Sequence, residues 1–338
     1  MSDATEHTGP SATGLRVRKA LLRRDGMAEI AILLALILLF SALNPGAFPT
    51  VTNLNTILNN AAIPAVIGVG SSFVVLTGRI DLSIEGVMGA AGIIFVLLSA
   101  NSRGTADLGW LAYVLALGAG GIIGAVTGLI HAWLKVPSFI VSLGMWYVGL
   151  GIAAVLFGYD MIPFLSNDAA VAWPSQTPLG MPNSFILALV VVALGFAVER
   201  YTRLGRFAYA IGNNEAVARV TGIPVARCVV ILFALAGVCS ALAGVMGSLA
   251  LGAGAANVGV GMLFLTLAAM VIGGTPLSGG KGGVVRTLVG VLILSTLYNG
   301  LILAGVDPSI QSGVSGLVLV AAVITAGWSQ RNRLRVFK

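Results

Sequence analysis

Hydrophobic residues in this chain form long runs that are separated by short polar segments. At about 1.5 Å of rise per residue, a helix of about 20 apolar residues crosses a hydrocarbon core about 30 Å thick. The alternating ten-residue segments of a membrane β-barrel are not seen. The pattern therefore predicts an all-α, polytopic membrane bundle of about ten transmembrane helices. The predicted helices cover residues 27–43, 60–77, 83–100, 109–134, 137–158, 184–200, 228–252, 262–274, 285–305 and 311–328.

Composition supports a membrane protein and makes a nucleic-acid partner a poor explanation of the charge. The 338 residues are 57% hydrophobic and 9% charged, whereas soluble domains average about 45–50% and 25%. The formal net charge is +7. Most basic residues, however, lie in the two tails and in one segment near 200–227. Such clusters mark loops retained on the cytoplasmic side of a membrane. The lipid bilayer is the predicted partner, and no nucleic acid is expected.

The distribution of basic residues also predicts the orientation. With both termini placed in the cytoplasm, only Arg103 of the 19 Lys and Arg residues falls outside. This asymmetry favours ten helices in a bacterial inner membrane. The predicted domains are a flexible cytoplasmic tail at 1–26, a transmembrane domain at 27–328 with a cytoplasmic loop at about 201–227, and a basic cytoplasmic tail at 329–338.

The sequence contains no recognisable signature of catalysis or nucleotide binding. The GGKG run at 279–282 has a lysine in a glycine-rich stretch, but a Walker A loop needs glycine at Thr275 and Ser or Thr at Gly282. His131 stands alone in an apolar segment, and the carboxylates lie mostly at predicted helix ends. We therefore expect a protein that is not an enzyme, holds no metal and binds no cofactor of its own.

Several polar side chains interrupt the apolar segments. An unpaired amide in hydrocarbon costs several kcal/mol, so these groups either bridge helices or line a polar path. Pro64 is expected to kink or break the second helix beside two of them. The acidic residue and the serine after that helix have a second interpretation, as caps of the next helix. The candidates for a substrate pathway are Asn59, Asn60, Asp81, Ser83, Trp146 and Asn299.

Two further patterns lie beside these candidates. Arg79, Asp81 and Glu85 form a concentrated charge patch between two early helices, and ionisable groups near membrane depth are functional candidates. The segments VLTGRIDLS at 75–83 and VIGGTPLS at 271–278 resemble each other. Repeated halves are common in transporters, whereas chance similarity between glycine-rich stretches is the alternative.

Three stretches of the chain resemble the permease subunits of ribose-type sugar importers of the ATP-binding cassette (ABC) superfamily, within the broad sugar and branched-chain amino acid permease family. They are GRIDLS at 78–83, YAIGNNEA at 209–216, and VIGGTPLSGG at 271–280. The resemblance extends over about residues 50–328. Arg79 and Val217 depart from the glycine and alanine that are frequent at those places, and they leave the solute open.

The resemblance implies a permease subunit of a binding-protein-dependent importer for a small polar solute, with a monosaccharide favoured. Alternatives are an ABC permease for nucleosides, branched-chain amino acids or a furanosyl signal molecule, and an ion-coupled secondary transporter. The implied partners are a cytoplasmic ATPase that binds the ATP, a periplasmic or extracellular binding protein, and a second permease copy or paralogue, working by alternating access. The residues implied to couple to the ATPase are Asn214, Glu215, Ala216, Arg219 and Gly222.

Overall fold

The computed structural model describes residues 26–159 and 161–307, with isolated positions at 310, 313, 316, 317 and 320. Apart from two isolated β-bridges, the regular structure in this part of the chain is helical. Twelve α-helices occur there: α1 (Met27–Leu43), α2 (Val51–Leu76), α3 (Ile84–Leu98), α4 (Trp110–Leu134), α5 (Ser138–Phe157), α6 (Asp168–Ala172), α7 (Asn183–Tyr201), α8 (Arg203–Asn213), α9 (Glu215–Val220), α10 (Val225–Leu251), α11 (Met262–Ile272) and α12 (Val284–Leu303).

Six of these helices are long and apolar enough to cross a membrane: α2, α4, α5, α7, α10 and α12. The apolar helices α1, α3 and α11 are shorter. The first nine predicted segments therefore each correspond to a helix. The tenth, at 311–328, and both predicted tails lie almost entirely outside the described residues, so the number of spans and the side of the termini stay predictions.

The second helix differs most from its predicted bounds, since α2 begins at Val51 instead of residue 60. The Thr50 hydroxyl caps it by accepting a hydrogen bond from the Asn53 amide (3.2 Å). Hydropathy missed these first turns because they contain three asparagines. The helix is also continuous through Pro64, so the break expected beside Asn59 and Asn60 is not observed.

The closest contacts between helices occur at glycines. In α4, two such glycines are four residues apart and therefore lie on one face of the helix. A Cβ atom at Gly124 would collide with the Phe233 carbonyl of α10, and one at Gly128 would lie 2.8 Å from the Val230 Cα. Small residues let backbones in a membrane approach this closely. Gly118, near the middle of the same helix, faces open space instead.

The break in a membrane span lies before α11. After α10 ends at Leu251, residues 252–261 have no regular helix, and α11 then has 11 residues, about 16 Å. The irregular segment packs along α3, where Gly89 leaves room for the Ala256 carbonyl and Gly259 approaches the Glu85 Cα. Non-helical backbone at membrane depth is tolerated where it is buried in protein or lines a cavity. Residues 252–272 therefore consist of an irregular segment followed by a short apolar helix.

The two similar sequence segments adopt the same turn. Gly78 (φ 74°) and Gly274 (φ 83°) end α2 and α11, and the amide of each donates to the carbonyl three residues earlier (2.8 and 3.0 Å). In both turns, the amide of the residue after the glycine, Arg79 or Thr275, donates to the carbonyl five residues earlier (3.4 and 2.8 Å). The turns lie side by side, because the Gly280 amide donates to the Leu76 carbonyl (2.9 Å).

Most basic side chains of the described residues gather at the end of the bundle where these turns meet. We call it the basic end. Arg103 lies at the other end, where its guanidinium donates to the Phe157 carbonyl. The Lys and Arg residues of the basic end are Arg79, Lys135, Arg200, Arg203, Arg206, Arg219, Arg227, Lys281 and Arg286.

Candidate functional site

A cavity of ≈ 330 Å³, lined by apolar residues and by six polar ones, opens between α2, α7, α10, α11 and α12, in the half of the bundle away from the basic end. Its size lies in the range of about 300–1,000 Å³ that is usual for small-molecule sites. The Ser184 hydroxyl donates to the Asn59 side-chain carbonyl (2.5 Å). Asn299 is 5% exposed, and its Oδ1 has no hydrogen-bond partner among the described residues. The polar residues of the lining are Asn59, Asn60, Ser184, Ser295, Tyr298 and Asn299.

Three of the six predicted pathway residues thus come together, although they are far apart in sequence. Sequence reasoning missed Ser184, Ser295 and Tyr298, since hydroxyl groups are common in apolar helices and no spacing singles them out. The described lining carries neutral amides and hydroxyls and no charged side chain. Such a lining can exchange hydrogen bonds with an uncharged polar solute.

The other three candidates lie elsewhere. The buried Asp81 carboxylate accepts hydrogen bonds from the Ser83 amide (2.9 Å) and hydroxyl (2.6 Å). Ser83 is the N-cap residue of α3, but its side chain makes no capping bond. The acidic residue therefore holds the start of α3, which is close to the capping interpretation. Trp146 lies on α5, where its backbone carbonyl packs on Gly86.

Glu85 makes a contact that the sequence does not reveal. Its Oε1 accepts hydrogen bonds from the amides of Gly261 (3.0 Å) and Leu263 (3.2 Å) at the start of α11. Helix N-termini carry unsatisfied amides and a partial positive charge. A buried carboxylate from the first turn of α3 therefore caps the short helix α11. Met262, between the two amides, lines the cavity.

A second carboxylate caps α12 in the same way. The Glu199 carboxylate, near the end of α7, accepts the Val284 amide (2.8 Å). The Tyr209 hydroxyl lies within hydrogen-bond distance of that carboxylate (2.8 Å) and of the Gly282 carbonyl (2.7 Å). Burial, and then the neighbouring Glu199, raise the pKa of Tyr209, so this phenol stays protonated. The contacts tie α8 to the basic end of the bundle.

The segment with the predicted coupling residues forms a short surface helix that begins at Glu215, while the preceding helix α8 ends at Asn213. The Asn214 side chain caps α9 by accepting the Val217 amide (3.2 Å). Gly222 (φ 84°) lies in the turn after the helix, a left-handed conformation that favours glycine.

One face of α9 is exposed. Val217 and Val220 are 56% and 90% exposed, and the side chains of Ala216 and Arg219 are exposed as well. Ala218, in contrast, is buried in a cluster that contains Ile211 of α8. Val217 and Val220 are three positions apart, so they are neighbours on the helix surface.

Arg79 connects α9 with the bundle. Its guanidinium donates to the Glu215 carboxylate (2.8 Å), to His131 Nε2 (2.6 Å) and to the Thr77 carbonyl (3.1 Å). His131 Nδ1 lies 2.7 Å from the Val136 carbonyl, which can only accept, so Nδ1 carries the hydrogen and Nε2 accepts from arginine. The expectation that His131 is isolated was therefore wrong.

Glu215 is the centre of a small charge network. Arg219, one turn later, donates to the second oxygen of its carboxylate (2.5 Å). Burial tends to raise the pKa of Glu215, but the hydrogen bonds from Arg219 and Arg79 and their positive charges outweigh it and hold the pKa below its usual value. The carboxylate is therefore ionised and held between two guanidinium groups.

A bundle of long apolar helices with amide and hydroxyl groups in a cavity fits a transport protein, and comparison with known proteins identifies the family. Residues 53–323 match the family described as branched-chain amino acid transport system, permease component. The chain belongs to this family of permease subunits, as its motifs indicated. With six long apolar helices, it is a multi-pass protein of the bacterial inner membrane.

Several relatives are named for sugar transport. The ribose import permease protein RbsC of Bacillus subtilis strain 168 is 38% identical over 296 residues, 86% of this chain and 89% of that protein. RbsC of Escherichia coli strain K12 is 36% identical over 299 residues, 88% and 92% of the two chains. The D-allose transport system permease protein AlsC of the same strain is 31% identical over 299 residues, 88% and 90%. No solved structure matches the chain.

Proposed function

We propose that this chain is the permease subunit of an ABC importer that moves a monosaccharide into the cytoplasm. The observation that carries the proposal is the cavity in which Asn59, Asn60 and Asn299 meet. Amide and hydroxyl groups both donate and accept hydrogen bonds, as sugar hydroxyls do. The names of the relatives, ribose and allose permeases, support the same class of solute.

The cap on α11 supports an uncharged solute over an amino acid. In many transporters, the N-terminus of a half-helix binds an anionic group of the substrate. Here Glu85 occupies that position, so the amides of Gly261 and Leu263 are already paired with a carboxylate. A branched-chain amino acid would bring a second carboxylate to a cavity whose described lining offers no cation. A neutral sugar avoids this repulsion.

The basic end is proposed to face the cytoplasm, because Lys and Arg are retained on that side. The chain then has ten transmembrane helices with both termini inside, and α9 docks on the ATPase that binds ATP. The exposed Val217 and Val220 support this role. The residues proposed to couple the two subunits are Asn214, Glu215, Ala216, Arg219 and Gly222.

The cavity lies in the opposite half, where a periplasmic binding protein would deliver the solute. Alternating access then requires the bundle to open towards the cytoplasm when ATP binding closes the ATPases. A second permease, a copy or a paralogue, is proposed to complete the path. The residues proposed to line this chain's share of the path are Asn59, Asn60 and Asn299, whereas Asp81, Ser83 and Trp146 support the helices around it.

The test is purification of the tagged chain in mild detergent, identification of the proteins that co-purify, and uptake of labelled ribose and allose by proteoliposomes containing the complex. We expect a cassette ATPase, ATP-dependent uptake, and a KM raised about 3–10-fold by Asn299→Ala, the loss of one neutral hydrogen bond. Gly118→Ala, at a site facing open space, is the control. Uptake by the chain alone under an ion gradient, or preference for leucine or a nucleoside over sugars, would overturn the proposal.

A further inference from the structure

Arg79 joins three separate parts of the molecule. Its guanidinium donates to the turn after α2, to His131 on α4 and to Glu215 on α9. The arginine side chain is 11% exposed, so the interaction takes place largely out of water. The planar guanidinium holds its donors in a fixed arrangement that a lysine cannot reproduce. The three acceptors are therefore fixed relative to one another as long as the arginine is in place.

We propose that Arg79 is a positioning residue that transmits movement of α9 to the cavity. The inference rests on the proposed function, in which α9 contacts the ATPase. The inference adds a specific route by which movement passes through the permease. It also assigns a role to Arg79, at a position where glycine is frequent in the family that the motifs resemble.

Glu215 lies on a short helix with few buried contacts, which can move relative to the bundle. His131 lies on a long helix of the bundle and provides a fixed contact. The helix α9 has six residues, and a single one of them, Ala218, is buried. Glu215 is oriented from both sides, since Arg219 holds one carboxylate oxygen and Arg79 the other. His131 belongs to the long helix α4, and its other nitrogen is bound to the Val136 carbonyl. A displacement of α9 would therefore pull on Arg79 at one side of its guanidinium.

From Arg79, the route to the cavity consists of covalent neighbours and hydrogen bonds. The turn that contains Arg79 continues to Asp81, which is bonded to Ser83 at the start of α3. Glu85, in the first turn of α3, holds the amides at the start of α11. Met262 in that first turn lines the cavity. Each step is a direct contact, so a shift of the turn after α2 reaches the cavity lining without crossing a gap.

The experiment compares wild type, Arg79→Gln, Glu215→Gln and the double variant, each purified as the complex with its ATPase and reconstituted with its binding protein. The measured quantities are the ATP hydrolysed per solute taken up, the maximal rate and the KM for labelled ribose. We expect each single variant to raise the ATP used per solute about fivefold or more, the lower end of typical coupling between sites. The KM should stay within twofold, because neither residue lines the cavity.

The double variant decides whether the two residues act together. If Arg79 and Glu215 form one link, the double variant is no worse than the worse single variant; independent effects would multiply and overturn the proposal. Arg103→Gln, which removes a guanidinium at the other end of the bundle, should leave the ATP used per solute unchanged. Recovery of the complex and its thermal stability are measured for every variant, because a purely structural role would lower both.

Arg79→Lys keeps the inference testable should Arg79→Gln fail to assemble. A lysine retains the charge but cannot reach His131, Glu215 and the Thr77 carbonyl together. It should therefore also raise the ATP used per solute, to a smaller extent. Normal coupling in this variant would overturn the proposal. If the wild-type complex shows no ATP-dependent uptake, the proposed function fails instead, so the two failures are distinguishable.

Discussion

Removal of the Glu85 carboxylate is expected to loosen the start of α11. Glu85→Ala leaves the amides of Gly261 and Leu263 without their acceptor. Hydrogen bonds to charged groups contribute about 1.5–3 kcal/mol each in soluble proteins, whereas polar contacts within membranes average about 0.6 kcal/mol with a maximum near 1.7. Because both bonds lie inside a membrane bundle, the second scale applies, and the two together give about 1–3 kcal/mol. Glu85→Gln retains a neutral acceptor and should lose about half as much.

Two measurements check this value. The midpoint of unfolding by a denaturing detergent reports the total loss of stability, and hydrogen exchange reports where the loss occurs. Exchange should accelerate in residues 259–265 and stay unchanged in the α4 segment 120–128, which packs on α10. The neighbouring Val260→Ala, at an exposed side chain, serves as the control. Wild-type stability and exchange in Glu85→Ala would show that the carboxylate is not the cap that holds this helix.

Three further predictions concern packing, pH and capping. Gly89→Ala should destabilise the bundle by about 1–3 kcal/mol, since its Cβ would overlap the Ala256 carbonyl, whereas Gly118→Ala should be neutral or slightly stabilising in the same unfolding assay. The stabilisation from ionised Glu215 should be complete above pH about 4.3 and be lost as the pH falls through its lower folded pKa. The difference in thermal stability between wild type and Glu215→Gln should therefore be constant from about pH 8 to 5 and shrink below about pH 4. Asn214→Ala should weaken α9 by about 1 kcal/mol, seen as faster amide exchange at Val217.

Hydropathy predicts the helices well because burial in lipid depends on composition alone. It failed at the start of α2, where a threonine cap and three asparagines begin a helix that the apolar pattern does not show. Proline chemistry suggested a kink or break at Pro64, but α2 is continuous there and the irregular backbone lies at 252–261. That segment looks like any other glycine- and alanine-rich stretch, and its irregular backbone depends on packing against α3.

The candidate site was predicted in part. Asn59, Asn60 and Asn299 stand out because amides are costly in an apolar helix, and these three meet in the cavity. The contact of Glu85 with Gly261 links residues 176 positions apart, and that of Arg79 with Glu215 links residues 136 positions apart. Local patterns contain no information about such pairs. Arg79 and Glu85 could be singled out in the sequence because they are charged residues between apolar segments. Their partners could be identified only from the structure.

In the proposed function, the helix α2 separates solute recognition from energy coupling along its own length. Asn59 and Leu76 are 17 residues apart on one continuous helix, about 25 Å. A substitution beside the cavity is therefore remote from the turn that contacts α9, and the reverse also holds. With the proposed roles, a few changed side chains beside the cavity would alter solute preference and leave the proposed ATPase contact in place. Such a change of solute preference would account for related permeases that are named for different sugars, such as ribose and allose. The same separation would allow a new solute to be selected in the laboratory without altering the ATPase.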